Sequence, residues 1–422
     1  MNVKLSKEYA SEPDSNPRSL ELLHKKKPSQ FDMRFNPIDG GGASRLHMIR
    51  ESFIREMTRL AIAYGAINLS QGFPDFDPPR EIIEAAHYAL DNGGNQYTIT
   101  WGTPVLRQAI AAKMKRWYNF NFDPDQHITV TCGVTEAILA SLMSLLNTGD
   151  EAIIIEPYHE GYLPAIIFAG GTPRFVPLDP SDYSLDPVKL ESAFNEHTRA
   201  IIVNTPHNPT GRVFTRSELE AIARLCQKYN VVAITDEIYE HITYDEHVHI
   251  PLASLPGMAE RTITISGFGK TFAMTGWRLG YACAPDFLSK ALRTMHDFMT
   301  ICAPAPLQAA CVAALNLSED YYKQLRIEYA KKRDIMISIL HNSGFIAQPP
   351  EGAFYVMADF TKWDFDGDDF SFARWLPANL GIAVVPGSCF YGTRGMGKKT
   401  VRFAFAKKIE TLRAAENRMM KR

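Results

Sequence analysis

The residues of this chain best equipped for chemistry sit in short, widely separated segments. Lys270 lies in SGFGKT, Asp236 and Tyr239 in TDEIY, Asn208 in PHNPTG, Arg278 in TGWRLG and Arg402 in VRFAFA. Gly133, Val134 and Thr135 follow the apolar run ITVTC. A lysine amine can attack an aldehyde and form a Schiff base. A carboxylate can hold a pyridine nitrogen in its protonated form. A phenol and an amide supply neutral hydrogen bonds, and an arginine grips carboxylate or phosphate through two parallel N–H groups. A helix opening at Gly133–Thr135 would add free N–H groups and a positive dipole end, which suits a phosphate.

GFGKT also invites a different reading, as the end of a nucleotide-binding loop of pattern G-x-x-x-x-G-K-[ST]. Gly269, Lys270 and Thr271 fill its last three positions, but the first glycine would fall on Thr264. No strong helix pattern follows the lysine either. The nucleotide loop is therefore rejected. The amine, acid, phenol, amide, arginine and helix N-terminus together suit pyridoxal phosphate.

Such groups need a frame that gathers them. From about residue 127, short apolar runs alternate with helical patterns: ITVT, EAIIIEP, TPRFVPL, RAIIVNTP, VVAITDE, RTITISG and RLGYACAP. Continuous apolar runs mark strands covered on both faces, so the pattern predicts an α/β fold with a largely parallel sheet. In such sheets ligands collect at the carboxyl ends of strands, where Asn208, Asp236 and Lys270 would lie. From about residue 319 a long amphipathic helix and mixed elements predict a smaller α+β domain. The expected divisions are 1–45, a polar extension; 46–80, a segment joining the small domain; 81–318, the large domain; and 319–422, the small one.

The 422 residues carry a net charge of −2, with 45% hydrophobic and 22% charged. This balance gives no sign of nucleic-acid or membrane binding. The N-terminus shows no signal-peptide core, and no run approaches a membrane span. Six cysteines without a C-x-x-C pair read as reduced, in a cytoplasmic protein. H-E-x-x-H is absent and His247–Val248–His249 lacks a third ligand, so no metal is expected.

Several segments in fixed order carry a family resemblance: NLSQGFPDF, NQYTITWG, TEA, EPY, PHNPTG, TDEIY, SGFGKTFAMTGWRLGY and VRFAFA. Over about residues 46–410 the chain resembles the class I aminotransferases of the fold-type I pyridoxal-phosphate enzymes. It is similar to the kynurenine, glutamine and aspartate branches. The resemblance implies a large domain with a mainly parallel seven-stranded sheet. It implies that Lys270 holds the cofactor as an internal aldimine and later moves a proton between the substrate α-carbon and C4′. Asp236 would pair with the pyridine nitrogen, its pKa lowered by that cation. Asn208 and Tyr239 would bond the ring hydroxyl. Arg278 and the Gly133–Val134–Thr135 turn would hold the phosphate. Tyr97 would reach the phosphate of a neighbouring subunit, implying a homodimer with shared sites. Arg402, aided by Gly72, would bind the substrate carboxylate. The reaction would move an amino group from an L-amino acid to a 2-oxo acid.

Two positions depart from the family pattern. Many relatives carry serine where this chain has Gly267, which leaves Ser266 as the candidate phosphate hydroxyl. The ring-stacking position, usually Phe, Tyr or Trp, is His159. An imidazole that titrates near neutral pH could donate a proton to a substrate. That expectation keeps open an alternative outcome on the same cofactor: elimination, replacement or cyclisation at the β or γ carbon. A transcription regulator on the same fold is a third reading. It would need a helix-turn-helix domain, and the polar extension is too short to contain one.

Overall fold

The seven apolar runs form one sheet in a computed structural model that describes residues 43–49 and 51–420. Residues 1–42, most of the expected extension, lie outside the described residues. After a short β1 (Ile67–Asn68), which lies outside this sheet, its seven strands are, in chain order, β2 (Ile128–Thr131), β3 (Glu151–Glu156), β4 (Thr172–Pro177), β5 (Thr198–Asn204), β6 (Val232–Asp236), β7 (Thr262–Gly267) and β8 (Gly280–Cys283). The seven-stranded sheet has the order β2-β8-β7-β6-β5-β3-β4. The pairs from β4 through β3, β5 and β6 to β7 are parallel. β8 runs antiparallel to both neighbours, and its Gly280 lies opposite Gly267 of β7.

Alternation along the strands explains the continuous apolar runs. Ile154, Ile202 and Ile234 pack on one face with Ala137, Ile138 and Leu142 of the helix Val134–Leu145. Ile153, Ile155, Ile201 and Val203 pack on the other with Leu219, Ile222 and Cys226 of the helix Arg216–Tyr229. Successive side chains point to opposite faces, and here both faces are covered. The second helix is also well bounded. Thr215 and Glu218 form a reciprocal capping box, and Asn230 closes the end in the left-handed region. Such a cap stabilises a helix start by about 1 kcal/mol.

After the 24-residue helix Glu319–Asn342, a four-stranded sheet forms in the order β12-β13-β10-β9. Its strands are β9 (Ile346–Ala347), β10 (Tyr355–Asp359), β12 (Val385–Pro386) and β13 (Thr400–Ala404). β11 (Ile382–Ala383) pairs in parallel with β1, so Ile67 meets Ile382. Met57 of the helix Phe53–Ala63 joins the same apolar cluster as Leu376, Ile382 and Leu412. The N-terminal segment thus packs with the C-terminal one.

Among the described residues no helix is long and apolar enough to cross a membrane. No group of three or more His, Cys, Asp or Glu among them could hold a metal. The two histidines of the H-x-H pair have different surroundings: His249 is buried, its Nε2 2.8 Å from Glu237 Oε2, whereas His247 is partly exposed near Glu351.

Candidate active site

A cleft of about 210 Å³ opens at the carboxyl ends of β5, β6 and β7. Asp236 ends β6, between two parallel neighbours, so its carboxylate leaves the sheet at the cleft floor. Its Oδ2 accepts from the Tyr162 hydroxyl at 2.6 Å and its Oδ1 from the Ile238 N–H at 3.3 Å. It is only 4% exposed. Burial raises its pKa to about 6, against the opposing pull of Tyr162, Ile238 and the Lys270 charge. The lowered pKa expected from sequence needs a further cation at the carboxylate; without one, burial outweighs the protein groups that favour the charge.

Lys270 follows β7 and reaches the cleft from the next strand over. Its Nζ donates to the Gly72 carbonyl at 2.6 Å. Burial lowers its pKa, and the Arg402 and Arg278 charges add to that effect against Tyr355 and Asp236. A lysine with a depressed pKa offers more neutral, nucleophilic amine at neutral pH.

Gly133 caps the helix Val134–Leu145 with φ of +83°. A Cβ there would lie 2.6 Å from Arg278 Nη2, so only glycine permits this approach. Arg278 itself has φ of +57°, a left-handed conformation uncommon outside glycine and asparagine. Its Nη1 donates to the Thr275 carbonyl at 3.0 Å. Val134, Thr135 and Arg278 line the same end of the cleft, and a helix N-terminus beside a guanidinium is a ready anion site.

Tyr239, three residues beyond Asp236, is buried, with its hydroxyl 2.9 Å from that of Tyr355. Asn208 is fixed by its N–H on Asn204 Oδ1 at 2.7 Å. Its Oδ1 accepts from Arg402 Nη1 at 2.8 Å. Arg402, on β13, is 1% exposed, and Nη2 donates to the Ser70 carbonyl at 2.8 Å. The rings of Tyr355 and Phe390 lie 4.3 and 4.8 Å from its guanidinium carbon. Its Nε has no hydrogen-bond partner. A desolvated guanidinium held this way is prepared for a carboxylate.

Two candidates, Ser266 and His159, behave differently from the sequence expectation. The Ser266 hydroxyl donates to Glu240 Oε1, inside a buried cluster with Lys113 and Tyr118, and does not reach the cleft. Alternation explains this: Ile263 and Ile265 face the Val134–Leu145 helix, so Ser266 faces the other side. His159 does line the cleft, its Nδ1 3.5 Å from Asn208 Nδ2. Its pKa is lowered to about 3, by burial first and then by the Arg402 and Lys270 charges. The ring is therefore neutral across physiological pH, contrary to the expected titration near neutrality. Tyr97 is 80% exposed and lies outside the cleft lining of its own chain.

Gly72 sits where its carbonyl meets Lys270, and a Cβ there would overlap the Tyr355 hydroxyl at 1.8 Å. Tyr355 escaped the sequence reading, since nothing in its EGAFYV context separates it from a core aromatic. Tyr162 escapes it as well. Its role on Asp236 depends on a separation of 74 residues that spacing cannot reveal.

With this geometry in place, comparison with known proteins is decisive. Residues 64–418 match the family model described as aminotransferase class I and II. An N-succinyldiaminopimelate aminotransferase structure from Mycobacterium tuberculosis is 39% identical, with a TM-score of 0.88 over 90% of this chain and 99% of that one. The methionine aminotransferase of Escherichia coli is 36% identical over 89% of this chain and 97% of its own. Mouse kynurenine–oxoglutarate transaminase 3 is 38% identical over 89% and 88% respectively. The chain belongs to the class I and II aminotransferase family.

Proposed function

We propose that this aminotransferase works with pyridoxal phosphate in the cleft at the carboxyl ends of β5–β7, moving an amino group from an L-amino acid to a 2-oxo acid. The observation that carries this reading is the buried Asp236 facing a cleft that also holds Lys270 and the Gly133–Arg278 anion cradle. The donor set fits the cofactor group by group: an amine for the aldehyde, a carboxylate for the ring nitrogen, and a glycine-lined cradle for the phosphate. When bound, the cofactor supplies an electron sink for the bonds at the substrate α-carbon.

The chain's own residues then have distinct tasks. Asp236 holds the ring-nitrogen proton, and Tyr162 orients the carboxylate. Asn208 and Tyr239 donate to the ring hydroxyl. Val134, Thr135 and Arg278 hold the phosphate. Lys270 carries the proton between the substrate α-carbon and C4′, and Arg402 grips the substrate carboxylate beside Gly72. Tyr97 reaches a second subunit, which its exposure supports. The active form is accordingly a homodimer, and a monomer in sedimentation equilibrium would remove that role. We place the domain division at 81–318 and 319–422, with 46–80 joining the latter, which the β1–β11 pairing supports. Six free cysteines suit a reducing compartment such as the cytoplasm.

The test is a single-turnover screen of the cofactor-loaded protein. Methionine, kynurenine and N-succinyldiaminopimelate come first among the donors, since relatives carry those names. Conversion to the pyridoxamine form with release of the matching oxo acid supports the reading. A product that keeps its nitrogen, or loses a side-chain group, overturns it.

His159→Phe sharpens that result. A neutral imidazole contributes stacking rather than a proton, so kcat/KM should change by no more than about fivefold. The pH profile between 5 and 8 should keep its shape. A loss beyond about a hundredfold, or a vanished limb near pH 6–7, would assign His159 an acid–base role.

A further inference from the structure

The segment from Ser70 to Asp75 lies beside the cleft, in contact with Lys270 on one side and with residues 402–411 on the other. Three cations, Lys270 and two from the stretch 402–407, hold its carbonyls. Arg402 donates to Ser70 O at 2.8 Å, Lys270 to Gly72 O at 2.6 Å, and Lys407 to Phe73 O at 2.9 Å. Asp75 is fixed in turn by the Lys408 N–H at 2.5 Å and the Thr411 hydroxyl at 2.6 Å. Lys407 is 3% exposed, and its ammonium lies 4.0 Å from the centre of the Phe73 ring. A buried ammonium on a carbonyl makes a charge-assisted bond, and losing such a bond costs about 1.5–3 kcal/mol.

Two of these cations have other work under the function proposed above, on which this inference rests. Lys270 cannot keep all its N–H donors once its nitrogen is bonded to an aldehyde carbon. Arg402 turns its N–H groups toward a substrate carboxylate. Lys407 is engaged by neither, and it does not line the cleft. We propose that Lys407 is a positioning residue: it keeps Gly72 and Phe73 over the substrate when Lys270 and Arg402 release the segment. Burial and the nearby Lys270 charge lower its pKa to about 8, with Asp75 opposing, so it remains largely an ammonium at pH 7.

Amide hydrogen exchange of wild type, Lys407→Met and Lys407→Arg, each with and without pyridoxal phosphate, tests this. The reporters are the amides of Ser70, Gln71 and Phe73, of which the first two bond Asn68 Oδ1 and the third Gln71 O. With cofactor, Lys407→Met should exchange there about tenfold or more faster than wild type. Without cofactor the difference should stay below about threefold, because Lys270 still holds Gly72. Lys407→Arg should restore protection, and Lys407→Met should raise substrate KM more than it lowers kcat. Equal acceleration with and without cofactor, acceleration spread over the whole chain, or none in the segment overturns the inference. Absorbance of the cofactor–lysine linkage in wild type separates the two failures. Without that linkage the proposed function fails. With it present and Lys407→Met unchanged, only the role of Lys407 fails.

Discussion

Lys270→Ala should lower kcat/KM by at least about 10⁴-fold, since it removes both the covalent anchor and the group that moves the α-proton. The protein should also lose the absorbance of a lysine-linked cofactor, while non-covalent binding through Arg278 and the Gly133 turn persists. The geometry makes the loss hard to compensate. Lys407, the nearby buried lysine whose pKa responds to the Lys270 charge, is committed to Phe73 O. Fold stability should fall by no more than about 1.5–3 kcal/mol, the worth of the one charge-assisted hydrogen bond Lys270 makes, to Gly72 O. Retention of more than about a hundredth of wild-type turnover would contradict the assignment.

Asp236→Asn should act in opposite directions on activity and on stability. Turnover should fall by about 10²–10⁴-fold, as an amide cannot hold the ring-nitrogen proton. The cofactor-free protein should become more stable above pH 6. Below pH 3.8 the carboxyl is protonated in both folded and unfolded chains and has no pH-dependent effect. Between 3.8 and about 6 the unfolded chain ionises first, so folding loses free energy as pH rises. Above about 6 the loss levels off near about 3 kcal/mol, from the shift of roughly two units. Asparagine carries no such loss, and the Tyr162 hydroxyl can rotate to accept from its amide. Thermal melts of cofactor-free wild type and Asp236→Asn should nearly coincide at pH 4 and diverge by several degrees at pH 8. Cofactor should stabilise wild type far more than the variant. A variant that melts below wild type at pH 8 without cofactor would refute the claimed burial cost. The pattern is a binding site that holds instability its ligand relieves.

The parts of this site that sequence made legible share one cause. Asn208, Asp236 and Lys270 follow apolar runs, and parallel strands place such residues at one edge of the sheet. Gly133–Thr135 and Arg278 follow the same logic through β2 and β8. What escaped depends on contacts between distant segments. Ser266 and Lys270 lie on one short stretch, yet one side chain faces Glu240 and the other the cleft. His159 lines the cleft, but its neutrality comes first from burial and then from Arg402 and Lys270, each more than a hundred residues away. Tyr355 and Lys407 look in sequence like core and surface residues. They become parts of the site only when the C-terminal sheet folds over the segment at Ser70–Asp75. The pairing of β1 with β11, which brings residue 67 to residue 382, leaves no trace in either segment's pattern.

The antiparallel return of β8 against β7 gives the site a ruler. Gly267 and Gly280 face each other across the sheet, so the excursion between them is pinned at both ends. Lys270 stands near its start and Arg278 near its finish. The chain length between Lys270 and Arg278 is thus fixed within one closed loop. Surface loops usually absorb insertions and deletions with little harm. Here a single added or lost residue should shift Lys270 relative to Arg278, even with every side chain of the cleft still present.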